Sequence, residues 1–245
     1  VKRLLFATAA ALSVLGAAGA SAAPIYVGYQ IGNGAITIVL SAPSGNGPFN
    51  YGSAGAPISV GTSGIVIYGT VEGTPPLPEP DLLSNAVSLS GEHDPSGGPI
   101  SIYVTELNQF PTNFGDFYST FGANLPATGP SGPNDAISVV ESTYVHACAN
   151  PGGACLASDE YQKDVLLSTT TFSGIGSGST VGYASLPPNE TTPYAVTEVY
   201  TVNFTPNGGY GQVNASIAVT VPEPLSIGLL GSGLFALGLI RRSRA

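Results

Sequence analysis

The chain has 245 residues, including 33 glycines and 21 prolines, with two cysteines and neither methionine nor tryptophan. Six lysines and arginines oppose 15 acidic residues, and five of the six cations lie at the two ends, so Lys163 stands alone between Ala23 and Pro222. Against 14 acids it leaves that segment a formal charge of −13, which excludes nucleic acid and disfavours anionic membrane surfaces, while divalent cations and cationic polymers remain suitable partners.

Lys2 and Arg3 precede an apolar stretch from Leu4 to Ala18, and Ala20-Ser21-Ala22 follows as a small-residue cleavage site. Residues 1–22 are therefore expected to form a secretory signal helix, removed by signal peptidase after Ala22. Cleavage one residue later would place Pro24 directly after the scissile bond, which is disfavoured.

From residue 23 to residue 220 the apolar residues alternate instead of recurring at helical spacing. About 200 residues are enough for one all-β domain with a sizeable core. The predicted strands are Ile25–Ile31, Ala35–Ser41, Gly64–Val71, Asn85–Leu89, Ile100–Leu107, Ala136–Ser142, Val165–Phe172, Thr180–Ala184, Tyr194–Thr205 and Gln212–Val221. In the fifth, Ile100, Ile102, Val104 and Glu106 share one face and Ser101, Tyr103 and Thr105 the other. In the ninth, Val196, Glu198, Tyr200 and Val202 alternate with Thr197, Val199 and Thr201. Gly45-Asn46-Gly47, Pro130-Ser131-Gly132-Pro133 and Asn207-Gly208-Gly209 supply turns between them. This spacing predicts a β-sandwich or jelly roll, acidic and without internal repeats. Thr74–Pro80 carries four prolines and reads as an extended surface loop. Asn113–Gly122 fits a short helix through Phe114, Phe117 and Phe121, and fits a strand nearly as well through Phe117, Ser119 and Phe121.

Cys148 and Cys155 bracket a turn at Pro151-Gly152-Gly153, and the pair is expected to form a structural disulfide. The competing reading is a metal or redox pair with His146. Glu92, His93 and Asp94 would be metal ligands only if three consecutive loop side chains converged, and polar loop residues are the simpler reading. Asp159, Glu160 and Asp164 offer oxygen ligands for calcium without EF-hand spacing. No H-E-x-x-H, G-x-S-x-G or P-loop pattern occurs, so no catalytic residue, cofactor or metal site is assigned. Tyr26, Tyr29, Tyr51 and Tyr68, with the phenylalanines, would make either a sugar-stacking platform or ordinary strand core.

The last 25 residues have three parts: Pro222, Glu223 and Pro224; the apolar run Leu225–Ile240; and the basic end Arg241, Arg242 and Arg244. The prolines keep the first part stiff and extended. The 16-residue run reaches roughly 24 Å at about 1.5 Å per residue. That is slightly short of a hydrocarbon core of about 30 Å. The flanking arginines can snorkel to make up the difference and hold that end in the cytoplasm. A transmembrane helix is expected over 225–240.

In this order the three parts resemble the PEP-CTERM sorting signal of Gram-negative bacteria, which divides the chain into a signal peptide (1–22), an ectodomain (23–220) and a sorting signal (221–245). The resemblance implies an exosortase-like processing enzyme as partner. It also implies a precursor held transiently in the inner membrane, then a surface or extracellular protein associated with exopolysaccharide and biofilm. The stretch from Pro99 to Val165 and the strand PYAVTEVYTV are also similar to ectodomains of PEP-CTERM proteins, and that similarity brings no activity.

The expected function is that of a non-enzymatic surface or matrix protein. The alternatives are a carbohydrate- or calcium-binding module and a secreted hydrolase such as a glycosidase. Exposed Tyr or Phe on a sheet face would favour the binding module. Two acids about 5–10 Å apart across a cleft would favour the glycosidase.

Overall fold

Alternation of β-branched and aromatic residues with Ser, Thr and Gly drives most of the described chain into antiparallel strands. The computed structural model describes residues 24–43, 48–52, 57–61, 64–73, 81–93, 98–109, 116–129, 132–148, 154–185 and 193–220. Among them run β1 (Pro24–Ile31), β2 (Thr37–Pro43), β3 (Phe49–Tyr51), β4 (Ile58–Ser59), β5 (Val66–Gly73), β6 (Asp81–His93), β7 (Ile100–Gln109) and β8 (Asp116–Leu125). They are followed by β9 (Thr128–Gly129), β10 (Gly132–Pro133), β11 (Ala136–Ala147), a 3₁₀ turn (Ala157–Asp159), β12 (Val165–Ser173), β13 (Gly176–Ser185), β14 (Tyr194–Phe204) and β15 (Gly209–Thr220).

Two sheets form a sandwich-like pair. Sheet I has the order β12-β11-β14-β7-β1-β2 and sheet II the order β13-β8-β15-β6-β5-β3, with β4 beside β5 and a separate β9–β10 ladder. Alternate residues of each sheet fill the space between them, including the fully buried Ile25, Ile67, Leu89, Val104, Val196 and Val219. Polar groups staple the layers. The Tyr200 hydroxyl donates to the Asn85 carbonyl at 3.1 Å and accepts from the Ile217 amide at 2.8 Å, joining sheet I to two strands of sheet II. Ser119 of β8 and Thr143 of β11 meet at 2.7 Å across the same gap.

β12 and β13 are consecutive but belong to different sheets, so their hairpin turns one side of the sandwich. Glycine makes that corner close. A Cβ on Gly178 would meet the Phe172 ring at 2.9 Å, and one on Gly182 would collide with the Ser168 side chain.

The all-β expectation is met. Residues 116–122 lie in a strand, with Phe117 and Phe121 buried, and Phe114 falls outside the described residues. Several strands exceed their predicted limits: Asn85–Leu89 becomes Asp81–His93 and Thr180–Ala184 becomes Gly176–Ser185. Ser and Gly weaken the local strand signal there, and ladder partners on neighbouring strands override it. No helix among the described residues is long and apolar enough to cross a membrane. The signal segment 1–22, the loop Thr74–Pro80, Pro222, Glu223, Pro224, the run 225–240 and Arg241, Arg242 and Arg244 lie outside the described residues.

Candidate functional site

Strand alternation decides which side chains of sheet II meet solvent. In β8, Phe117, Ser119, Phe121, Ala123 and Leu125 are buried, so Tyr118, Thr120, Gly122 and Asn124 point outward. The register carries that face across the sheet. Tyr118 lies beside Tyr183 of β13, while Thr120, Gly122 and Asn124 pair with Ala218, Ser216 and Asn214 of β15. Asn214 pairs with Ser88 and Ser88 with Tyr68; Ser216 pairs with Ala86, Ala86 with Thr70, and Thr70 with Asn50. The result is a floor of hydroxyl, amide and small side chains.

One corner of this floor is aromatic. The Tyr118 and Tyr183 rings meet edge to face with centroids 4.5 Å apart, and Tyr183 is 69 % exposed. Such a pair holds both rings in fixed orientations and leaves an apolar face open to a ligand. On the floor, Ser88 Oγ donates to Asn214 Oδ1 at 2.9 Å, which leaves the Asn214 amide nitrogen as a donor. Among the described residues of this sheet, acids stand towards the strand ends, at Glu72 beside Ser84, Glu92 beside Tyr210, Asp81 opposite Thr220 and Asp116 opposite Ser185. Lys163 is the only lysine or arginine among the described residues, and it sits on sheet I with its ammonium 5.2 Å from the Tyr103 ring centre.

The remaining sequence candidates fall elsewhere. Cys148 and Cys155 form the expected disulfide, with Cα atoms 5.0 Å apart. It packs on Leu107 and Ala195 of sheet I, and Asn108 clasps it by donating its backbone N–H to Cys155 Sγ and accepting from the Cys155 N–H. Asp159 lies beside the two sulfurs, but sulfurs bonded to each other are not thiolate ligands, and the cysteine–His146 metal pair falls away. His146 instead bridges Asp164 at 2.7 Å and Asp159 at 3.2 Å, tying the 3₁₀ turn to β11. Glu160 stands apart from that pair, its carboxyl pushed up by burial. In β6, His93 turns inward to stack on Phe204 at 4.0 Å while Glu92 turns outward, so these neighbours do not converge on an ion; Asp94 lies outside the described residues. The four candidate tyrosines separate as well. Tyr51 is core and donates to Asn85, Tyr29 is buried and accepts from the Gly61 N–H, Tyr26 packs near the disulfide, and Tyr68 alone reaches the outer face of sheet II. Sequence reasoning missed Tyr118 and Tyr183, because the β8 segment fitted helix and strand equally and β13 is rich in glycine.

Three glutamates lie between the sheets. Glu106 of β7, Glu141 of β11 and Glu198 of β14 share the inward face with valines and isoleucines, and each is 0 % exposed. Burial pushes the Glu141 carboxyl up to about 8, with the Gly122 backbone drawing it partly back. Burial first, then the neighbouring Glu141 and Glu106, holds Glu198 well above the usual carboxylate range. Burial and Glu198 also raise the Tyr51 and Tyr200 hydroxyls. With no exposure, these acids are out of reach of a polymeric substrate.

No family model matches the chain, and no curated protein sequence is similar to it. Among solved structures it is similar to the Stig cyclase Fisc from Fischerella sp. TAU, at 11 % identity over 80 % of this chain and 90 % of that one, with a TM-score of 0.37. It is also similar to a carbohydrate-binding module from the β-sandwich superfamily (10 % identity, 80 % and 84 % coverage, TM-score 0.32). A third is TmCBM61, solved with β-1,4-galactotriose (9 % identity, 64 % and 88 % coverage, TM-score 0.29). At these scores the likenesses decide neither the details of the fold nor the function.

Proposed function

We propose that this chain is an exported, non-catalytic surface or matrix protein whose sandwich binds an uncharged polysaccharide on the outer face of sheet II. The observation that carries this is the exposed Tyr118–Tyr183 pair beside a floor of Ser, Thr and Asn side chains. Sugar rings present apolar C–H faces that stack on aromatic rings, and hydroxyl rims that pair with hydroxyls and amides. A formal charge of −13 over residues 23–222 repels polyanions, which selects neutral chains.

The reading is tested by affinity electrophoresis of the full chain through gels containing neutral or acidic polysaccharides. Retardation by a neutral polymer is expected. Tyr183→Ala or Tyr118→Ala should weaken it roughly tenfold to a hundredfold, the value of one buried aromatic side chain. No retardation by any polymer, or retardation that both variants leave untouched, contradicts it.

Export and sorting belong to the same proposal. The disulfide suits an oxidising compartment, and the Pro222-Glu223-Pro224 strip before an apolar run and three arginines suits processing by an exosortase-like enzyme. The mature protein is then expected to end near Pro224. Mass spectrometry of its C-terminus checks this, and a chain from the cell envelope that still carries Ala245 contradicts it.

A further inference from the structure

β13 forms one edge of sheet II, and it lacks the features that usually keep such an edge from pairing. It runs for ten residues, Gly176–Ser185, without a charge or a proline, and it pairs with β8 over its whole length without a bulge. Its residues from Gly176 to Val181 are all exposed, among them Val181 at 49 %, and Tyr183 follows at 69 %. Its companion β12, at the edge of sheet I, is also uncharged. The opposite side of the sandwich is built differently. There β3 and β4 have three and two residues, and β2 carries a register shift against β1 and ends at Pro43.

We propose that two copies of this chain pair through β13, antiparallel about a two-fold axis at Gly182, joining their sheets II into one. Charge selects a second copy as the occupant. A protein at −13 over residues 23–222 repels its own kind except where acids are missing, and the β12–β13 side presents none from Val165 to Ser185. The nearest acid in the ladder is Asp116, whose backbone pairs with Ser185. The two-fold sets the copies of Asp116 at opposite ends of the joint, about 20 Å apart along the strand at about 3.3 Å per residue. That exceeds a Debye length of about 8 Å.

Side chains agree with the same register. Opposed residues of antiparallel strands share a face, so Val181 of each copy meets the partner's Tyr183, and the backbone groups of Ser179–Ser185 find ladder partners. An isologous joint closes on itself and leaves no free copy of this edge for further growth. One consequence rests on the glycan reading above, although the pairing itself does not. The two Tyr118–Tyr183 corners become neighbours at the centre of a fourteen-stranded face, and one polymer chain could engage both copies with increased avidity.

Sedimentation velocity of the full chain in density-matched detergent tests the pairing. The expected protein mass is that of two chains, and Val181→Lys, which sets a charge on the edge, should return it to one chain. Unchanged circular dichroism and thermal midpoint in the variant would show that its fold survives. Independently of any variant, hydrogen exchange at the β13 amides that do not bond to β8 should slow as the wild-type concentration rises. One-chain mass at every concentration, a two-chain mass that persists in Val181→Lys, or exchange at β13 that ignores concentration overturns the proposal. Electrophoresis of the one-chain variant separates the two ideas, because glycan retardation that survives in it leaves the binding face standing without the pairing.

Discussion

Glu106, Glu141 and Glu198 occupy strand positions that alternation would normally fill with valine or isoleucine, and they face a sheet that brings no cation to them among the described residues. For Glu141 and Glu198 burial favours the neutral form, because ionising either would leave a charge without water. The consequence for stability has a definite sign. Glu141 rises from an ordinary value of 4.5 to about 8, so its neutral form favours the fold fully below 4.5, and that advantage is lost as pH climbs through the interval. Glu198 adds to the loss in the same direction. Glu141→Gln and Glu198→Gln should therefore raise the melting temperature at pH 8 by about 2–4 °C for each kcal/mol recovered. Near pH 4 the same variants should change it little; thermal melts across that range check the slope, and parallel curves for variant and wild type would contradict it. The positions themselves are readable in the sequence, since Glu106 follows Ile100, Ile102 and Val104 on one face. What alternation does not reveal is that three such strands lie side by side as β7, β14 and β11, which only the ladder register decides.

At the scale of elements, the disulfide segment and β13 show opposite sides of what local chemistry determines. Cys148 and Cys155 stand seven residues apart in the sequence, so closure is a local event and was legible there. Its role in the fold was not, because the segment from Cys155 to Lys163 packs on residues distant in sequence. A Cβ on Gly28 of β1 would meet the Tyr161 ring at 3.1 Å, and Tyr161 meets the Tyr103 ring edge-on at 5.8 Å. Replacing both cysteines by serine should cost about 2.5 kcal/mol by loop-closure entropy. That is a fall of roughly 5–10 °C in melting temperature for a chain of this size. Alkylation without reduction should find no free thiol in the native protein; labelling of both cysteines would overturn the bond. β13 was only half legible, because Gly178 and Gly182 lower strand propensity in the very positions where Phe172 and Ser168 need the room. The short β3 and β4 gave no signal of their own, and their pairing with β5 makes them strands.

For the molecule as a whole, composition had already set the terms of recognition. A chain with one cation between Ala23 and Pro222 has little with which to hold a polyanion, and the structure places that cation, Lys163, on sheet I. Sheet II is left with an uncharged centre and one aromatic corner, the arrangement expected of a face that meets neutral sugar rings. The all-β class and the acidic surface were legible in alternation and residue counts. The proposed binding face was not, because it needs Tyr118 and Tyr183, 65 residues apart, to be opposed across a single ladder. The most direct test of the account is chemical-shift mapping of the ¹⁵N-labelled protein titrated with the neutral polysaccharide that retards it. The account predicts shifts centred on Tyr118, Thr120, Asn124, Tyr183, Asn214 and Ser216. Shifts centred instead on Tyr103, Tyr161 and Lys163 of the sheet I side, or none at saturating polymer, would contradict it.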